Sequence, residues 1–311
     1  MAKAVDLAYV VYESTDLEVM ERFMNDFGLV TAQRSPDVLY LRAAGSAPYI
    51  HVTCRGDQNR FIGAGLVMSS REDLDELAQL EGSGPVEPIT DAPGGGYRVR
   101  MKAPDGFQID AIWGWQSQEP IPHRPANSYN WGESKARVNS SLRPKREPGL
   151  VLRLGHFVLR VTSHETSLAW FVERFGMLVS DSMWTSGPDS KPIGTFLRFD
   201  GGEELVDHHS LLINEASRIG AHHCAFEMQD IDSVMGAHDF LVSKGYQLDV
   251  GVGRHLIGSQ IFDYWKDPFG NRVEHYTDGD VNTASYEGEM YRVAAEDTTQ
   301  WGMDPTPDFF H

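Results

Sequence analysis

The chain of 311 residues repeats itself, and few folds accommodate such a repeat. LAYVVYESTDLEVMERFMNDFGLV at 7–30 runs alongside LGHFVLRVTSHETSLAWFVERFGMLV at 154–179. Both read as a strand, a polar cap, an amphipathic helix, a Phe-Gly stop and another strand. In the second copy Ser163 is placed to cap the helix. Leu168, Phe171, Val172 and Phe175 then recur at helical spacing, and Gly176 is placed to end it. A second pair of segments follows. FIGAGLVMSS from Phe61 matches RIGAHHCAFEM from Arg218, and APDGFQIDAI from Ala103 matches DPFGNRVEHY from Asp267. Each half therefore holds two strand-helix-strands units, and four units in two domains is the expected architecture. The expected divisions are a first domain at 1–118, a Pro-, Ser- and Asn-rich linker at 119–148, a second domain at 149–285 and a tail at 286–311. The tail is polar, but Tyr291, Trp301, Phe309 and Phe310 predict that it packs on something.

The repeat is also a control for chemistry. In the second copy His156, His223 and Glu274 each lie in a short apolar run that reads as a strand. The alignment sets them against Tyr9, Leu66 and Asp110 of the first copy, so the fold itself does not require them. Nine of the twelve histidines fall between His156 and His275. A metal site in one copy only accounts for that asymmetry. Two neutral imidazoles and a carboxylate make a three-ligand face and leave three octahedral positions open, which suits non-haem Fe(II) and oxygen chemistry. The first half is expected to hold no metal.

Beside these stand His209, His255 and Tyr264. A neutral histidine there can act as a base and then as an acid near pH 7. Tyr264 can hydrogen-bond a substrate oxygen. Strict strand alternation points His222 away from His223 and His208 away from His209, so both neighbours read as structural or as supports behind the site residues. So do His164, His238 and His275, while Trp265 and Phe262 read as core. Asp263 faces either the loops or the site. The glycines of PGGGY at 93–97 are followed by no helix, which argues against a phosphate loop.

Composition narrows the classes further. A formal charge of −18 argues against nucleic acid and anionic membranes as partners. Two cysteines, Cys54 and Cys224, rule out a disulfide framework and fit a reducing cytoplasm. There is no apolar run of transmembrane length and no evident signal peptide.

With those residues in hand, the second half resembles the type I extradiol ring-cleavage dioxygenases of the vicinal oxygen chelate superfamily. The resemblance lies in Leu-Gly-His ending at His156, HSLLI at His209, HCAFE at His223, GRH ending at His255, Tyr264 nine residues on, and Glu274 ten further. It is strong from about Leu150 to Asp278; the first half matches by architecture more than by motif. The resemblance implies an α+β fold of two domains, each of two βαβββ modules (the glyoxalase/bleomycin-resistance/dioxygenase fold). It implies Fe(II), or Mn(II), on His156, His223 and Glu274, with no organic cofactor. It makes His209 the acid-base and sets His255 and Tyr264 against the oxygens of a catechol. The implied reaction is cleavage of the ring beside the diol with O2, in aromatic-compound catabolism, and homo-oligomers are the usual prior. A glyoxalase-like isomerase has no need of the His209, His255 and Tyr264 set. An aromatic-binding module usually lacks a complete metal triad. An oxygenase dependent on a 2-oxo acid also uses two histidines and a carboxylate.

Overall fold

The first helix, Leu17–Phe27, begins where Asp16 accepts from the N–H groups of Glu18 (2.9 Å) and Val19 (3.1 Å). Such a cap satisfies donors that the first helical turn leaves open. Ser163 caps His164–Phe175 in the same way through the Thr166 N–H, and Gly176, at φ 64°, ends that helix in the left-handed region. Met20, Phe23, Met24 and Phe27 make one buried face of the first helix; Phe171 and Phe175 occupy the same place in the second copy. The computed structural model describes residues 2–186, 190–292, 298–303, 305 and 309. Phe310, expected to pack with the tail, lies outside them.

Each half is a mixed α+β sheet built twice over from one unit. In the first half, strand Ala4–Ser14 leads through its helix to Val30–Arg34, Val38–Arg42 and His51–Arg55, and the last of these returns parallel to Ala4–Ser14. Arg60–Met68 leads through Arg71–Leu77 to Tyr97–Lys102 and Gln108–Trp113, which again returns parallel to its own first strand. The two leading strands pair antiparallel and fuse the units into one sheet. The second half repeats this. Val151–Val161 pairs antiparallel with Gly220–Met228, Leu211–Glu215 lies parallel to the former, and Arg272–Thr277 lies parallel to the latter. Two tail strands extend the second sheet, Glu289–Tyr291 on Leu178–Trp184 and Thr299–Gly302 on Gln247–His255.

The strand ladders correct the alignment read from sequence. Tyr9 pairs with Gly65, which pairs with Asp110; His156 pairs with Ala225, which pairs with Glu274. By the same ladders Val11 opposite Gly63 matches Val158 opposite His223. The counterpart of His223 is therefore Gly63, not Leu66. In both copies a bulge follows at once, with Ile62 as the extra residue in the first and His222 in the second. A bulge places two consecutive side chains against one partner. That is why His222 departs from the opposite-face placement expected of it.

One hydrophobic core runs through both halves. Phe27 packs edge-on against Phe226 and face-on against His275, whose Nε2–H donates to the Phe27 carbonyl (2.7 Å). The Tyr12 hydroxyl meets the Cys224 sulfur at 3.0 Å. The segment between the halves is pinned to the start of helix Ile231–Ser243, with Arg124 held by Asp230 and both Asn127 and Tyr129 by Asp232. No helix among the described residues is long and apolar enough to cross a membrane.

Burial of histidine has a measurable consequence. Burial pushes His51 down to about 3, and burial, against the Phe27 hydrogen bond, does the same to His275. Both are neutral in the folded chain but take a proton in the unfolded chain below about pH 6.5. The unfolded state then binds more protons, so stability falls as pH drops through 6.5 and continues to fall towards 3. At pH 5 the two together should cost about 4 kcal/mol. Urea midpoints at pH 7.5 and pH 5 read this directly, and equal midpoints would contradict it.

Candidate metal centre

Four adjacent strands carry the site: Val151–Val161, Gly220–Met228, Arg272–Thr277 and Ile261–Lys266. The ladders set His156 beside Ala225, Ala225 beside Glu274, and Glu274 beside Tyr264. Their side chains converge on the inner face of a strongly curled sheet. Met183, near one edge, and His255, near the other, line the same cavity of about 280 Å³.

His156, His223 and Glu274 are brought together and buried. The Nε2 atoms of the two histidines are 3.2 Å apart, and Glu274 Oε2 lies 3.1 Å from His156 Nε2 and 3.2 Å from His223 Nε2. Bonds of about 2.1 Å meeting at right angles put neighbouring donors about 3 Å apart. Both Glu274 oxygens are buried, and neither accepts a hydrogen bond of normal geometry. A buried carboxylate left in that condition calls for a cation. The donor set fits a divalent metal in spacing and in protonation. Burial, partly offset by Glu274, pushes His223 down to about 4, so its imidazole is neutral at pH 7. Burial pulls the Glu274 carboxyl upward, but the imidazoles of His156, His223 and His255 outweigh it and hold it well below the ordinary range.

His209 stands in the loop just before Leu211–Glu215, not within the strand, and its ring lies 4.3 Å from that of His156. Its neighbour His208 does not point to an opposite, structural face as expected, because the chain here is not extended. His208 is buried, with Nε2 2.8 Å from Asp181 Oδ2 and Nδ1 3.0 Å from His209 Nδ1. The carboxylate can only accept, so in a neutral His208 the proton sits on Nε2, and Nδ1 is the acceptor for His209 Nδ1–H. The other nitrogen of His209, Nε2, is left with its lone pair. Burial first, then His156 and His208, push the His209 pKa well down.

The same logic orders His222. Its Nδ1 is 2.7 Å from His223 Nδ1, and its Nε2 is 2.6 Å from the Phe309 carbonyl. A metal on His223 Nε2 requires the proton on Nδ1. That proton is donated to His222 Nδ1, while His222 Nε2 lies against both the Phe309 carbonyl, which can only accept (2.6 Å), and the Arg272 guanidinium, which can only donate (2.7 Å). Such outer partners fix the tautomer and orientation of a ligating imidazole. His255 Nε2 and the Tyr264 hydroxyl are 2.7 Å apart, and His255 Nε2 is 3.8 Å from Glu274 Oε1. Burial and then Glu274 push Tyr264 well above the ordinary phenol value, so it keeps its proton.

Other residues lie apart. Asp263 binds His238 (2.9 Å) and the Trp265 N–H (2.7 Å), and His164 meets Thr195 at 2.7 Å. Asp181 and Arg272 were not singled out in the sequence, and Phe309 only as a tail aromatic expected to pack, as it does; no spacing announces a carboxylate 28 residues before His209 or ties a tail phenylalanine to the site.

In the first half, Tyr9, Gly63, Arg100 and Asp110 hold the ladder positions of His156, His223, Tyr264 and Glu274. Arg100 Nε reaches Asp110 Oδ1 at 3.0 Å, and the Tyr9 hydroxyl donates to Oδ2 at 2.9 Å. A Cβ at Gly63 would come within 1.7 Å of the Gln108 carbonyl oxygen, so no histidine fits there. A guanidinium does in this copy what a metal would do in the other.

Comparison with known proteins follows the same lines. Residues 153–275 match the model of the Glyoxalase/Bleomycin resistance protein/Dioxygenase superfamily. The chain is 28% identical over 299 residues to metapyrocatechase 2 of Cupriavidus necator, covering 96% of this chain and 88% of that one. It is 27% identical over 316 residues to an iron-dependent extradiol dioxygenase of Rhodococcus jostii, covering 96% of each. Among solved structures, the Mn(II)-bound glyoxalase from Novosphingobium aromaticivorans shares the fold with a TM-score of 0.80 at 24% identity, covering 99% of this chain and 94% of that one.

Proposed function

We propose, for a chain that belongs to the extradiol dioxygenases of the vicinal oxygen chelate superfamily, that it opens the ring of an uncharged, monocyclic catechol beside its two hydroxyls. The observation that carries this reading is the neutral base, His209, sharing one small cavity with His156 and His223, whose donor atoms meet those of the buried Glu274. His156, His223 and Glu274 would hold the metal, Fe(II) first and Mn(II) as the alternative. Bound there, the metal supplies the path by which electrons pass from the catecholate to O2.

The chain's own residues handle position and protons. The lone pair on His209 Nε2, set by the Asp181–His208 relay, takes a substrate proton and later returns one. Tyr264 and His255, as a hydrogen-bonded pair, offer a donor to a substrate oxygen. Met183, Ile193, Phe196, Leu212 and Phe309 wall the cavity with apolar surface and keep water from the ring. No lysine or arginine lines this cavity among the described residues, so no fixed cation there answers a carboxylate on the ring substituent. At about 280 Å³ it falls just below the usual range for drug-sized ligands, which suits one ring with a short apolar substituent.

The test loads the protein with Fe(II) without air, adds 4-methylcatechol, and then admits O2. A yellow ring-opened product should form with one O2 consumed per catechol and no 2-oxo acid required. 3,4-Dihydroxyphenylacetate should be a poorer substrate in kcat/KM by about tenfold or more. A requirement for a 2-oxo acid, or no oxygen uptake with either catechol, would overturn the reading.

A further inference from the structure

The Asp181 carboxylate behind His208 has a second set of partners, and they come from the tail and the turn before it. Its Oδ2 faces His208 Nε2 at 2.8 Å. Its Oδ1 accepts from the Tyr286 hydroxyl at 3.0 Å and from the Glu289 N–H at 2.7 Å. The side chain is buried. A carboxylate turns readily about its last bond, so partners on one oxygen decide where the other points. Burial first, then the bond to Asp181, pushes the Tyr286 hydroxyl up to about 12, so it keeps its proton and donates.

Three devices bring this segment to Asp181. Arg198, only 1% exposed, donates to the carbonyls of Thr283 (3.2 Å) and Tyr286 (2.8 Å), and its guanidinium lies 5.5 Å from the centre of the Tyr286 ring. Gly288 has φ 76°, and a Cβ there would come within 2.0 Å of the Ser180 carbonyl oxygen, so only glycine lets the chain approach this closely. Glu289–Tyr291 then runs parallel to Leu178–Trp184, which sets Glu289 beside Asp181 and Tyr291 beside Met183 of the cavity wall.

The first copy separates what the fold needs from what the site needs. By the ladders Arg42 matches Arg198, and it too clasps a departing chain, donating to the Glu119 carbonyl at 2.8 Å. The clasp is therefore common to both copies. Gln33, exposed, stands in the place of Asp181. Pro48 and Tyr49 stand in the places of His208 and His209. A buried carboxylate aimed by a tyrosine belongs to the copy that carries the metal donors.

We propose that residues 283–291 are part of the site. Tyr286 is a positioning residue that, with the Glu289 N–H, aims Asp181 at His208 and so keeps the lone pair of His209 on Nε2. This rests on the reading of His209 as the base.

The test is Tyr286→Phe in the intact protein, with Gly288→Ala as a second variant that touches no polar side chain. Both should keep their metal and bind 4-methylcatechol without air as the native protein does. In Tyr286→Phe kcat should fall about fivefold or more at unchanged KM, the worth of one hydrogen bond. In the Asp181→Asn background the same substitution should add nothing, because it acts only through that carboxylate. A second readout needs no turnover. With diamagnetic Zn(II) in place of iron, the low-field proton resonance of His208 Nε2–H, identified by its loss in His208→Phe, should move upfield or vanish into exchange in both variants. The proposal is overturned if kcat and the resonance are native in Tyr286→Phe, or if the loss is as large in the Asp181→Asn background as in the native one. A native protein that opens no catechol would defeat the reading of the site instead, and the resonance would still decide the placement of Tyr286.

Discussion

Glu274→Ala leaves a folded protein that has lost its metal and its ring cleavage. Metal affinity should fall by more than about 100-fold, since changing even an outer partner of a ligand costs 10- to 100-fold. Two imidazoles 3.2 Å apart do not replace the carboxylate. The metal-free form gives up the attraction between the carboxylate and the imidazoles of His156, His223 and His255, so its thermal midpoint should fall while unfolding stays cooperative. That separates loss of the site from loss of the fold. Metal content by mass spectrometry, turnover, and the thermal midpoint of the metal-free protein are the three measurements. Full metal occupancy with native turnover would remove Glu274 from the site.

His209→Gln should keep the metal and bind catechol without air, yet turn over on the order of 10²–10⁴-fold more slowly, the usual contribution of a positioned acid-base. The relay behind it makes a sharper test. In Asp181→Asn, the new amide can donate to His208 Nε2, which moves the His208 proton to Nδ1. His209 must then accept there, and its proton moves to Nε2, the position where the lone pair is needed. The geometry survives and the base does not. Turnover should fall by about 10²-fold or more with metal content and substrate affinity retained, and the acid limb of the pH–rate profile should change shape. His208→Phe, at a residue that the sequence turns away from the site, should nonetheless cost about 10- to 100-fold, because both ends of the relay are lost. Native turnover in Asp181→Asn would sink the relay. Native turnover in His209→Gln as well would pass the acid-base role to His255.

Much of this was legible in the sequence, for identifiable reasons. Strand and helix periods repeat over long stretches, so the units and their order could be read from Leu7 and Leu154 onward. A histidine or glutamate in an apolar run is conspicuous, and its absence from the sister copy more so. What the sequence hid was local geometry. Alternation assumes a continuous strand, but His222 is the extra residue of a bulge and His208 precedes its strand in a loop, so both turn towards neighbours they were expected to avoid. The same bulge misled the alignment. Matching glycines slid His223 three residues along, onto Leu66, whereas the hydrogen-bond ladder matches it to Gly63. Asp181 reaches the site from the strand Leu178–Trp184 and Phe309 from the tail, and no sequence spacing carries that information.

The arginine that answers Asp110 also bears on how the chain comes into being. Residues 1–113 leave the ribosome first, and their counterpart of the metal carboxylate arrives with its neutralising charge built into the same sheet. That half owes nothing to the supply of metal in the cell. Phe27, buried in the shared core, gives the later half a ring for Phe226 and His275 and a carbonyl for His275 to bind. A cell starved of metal would thus make a chain whose early half is complete and whose late half is already docked, waiting only for an ion to be captured.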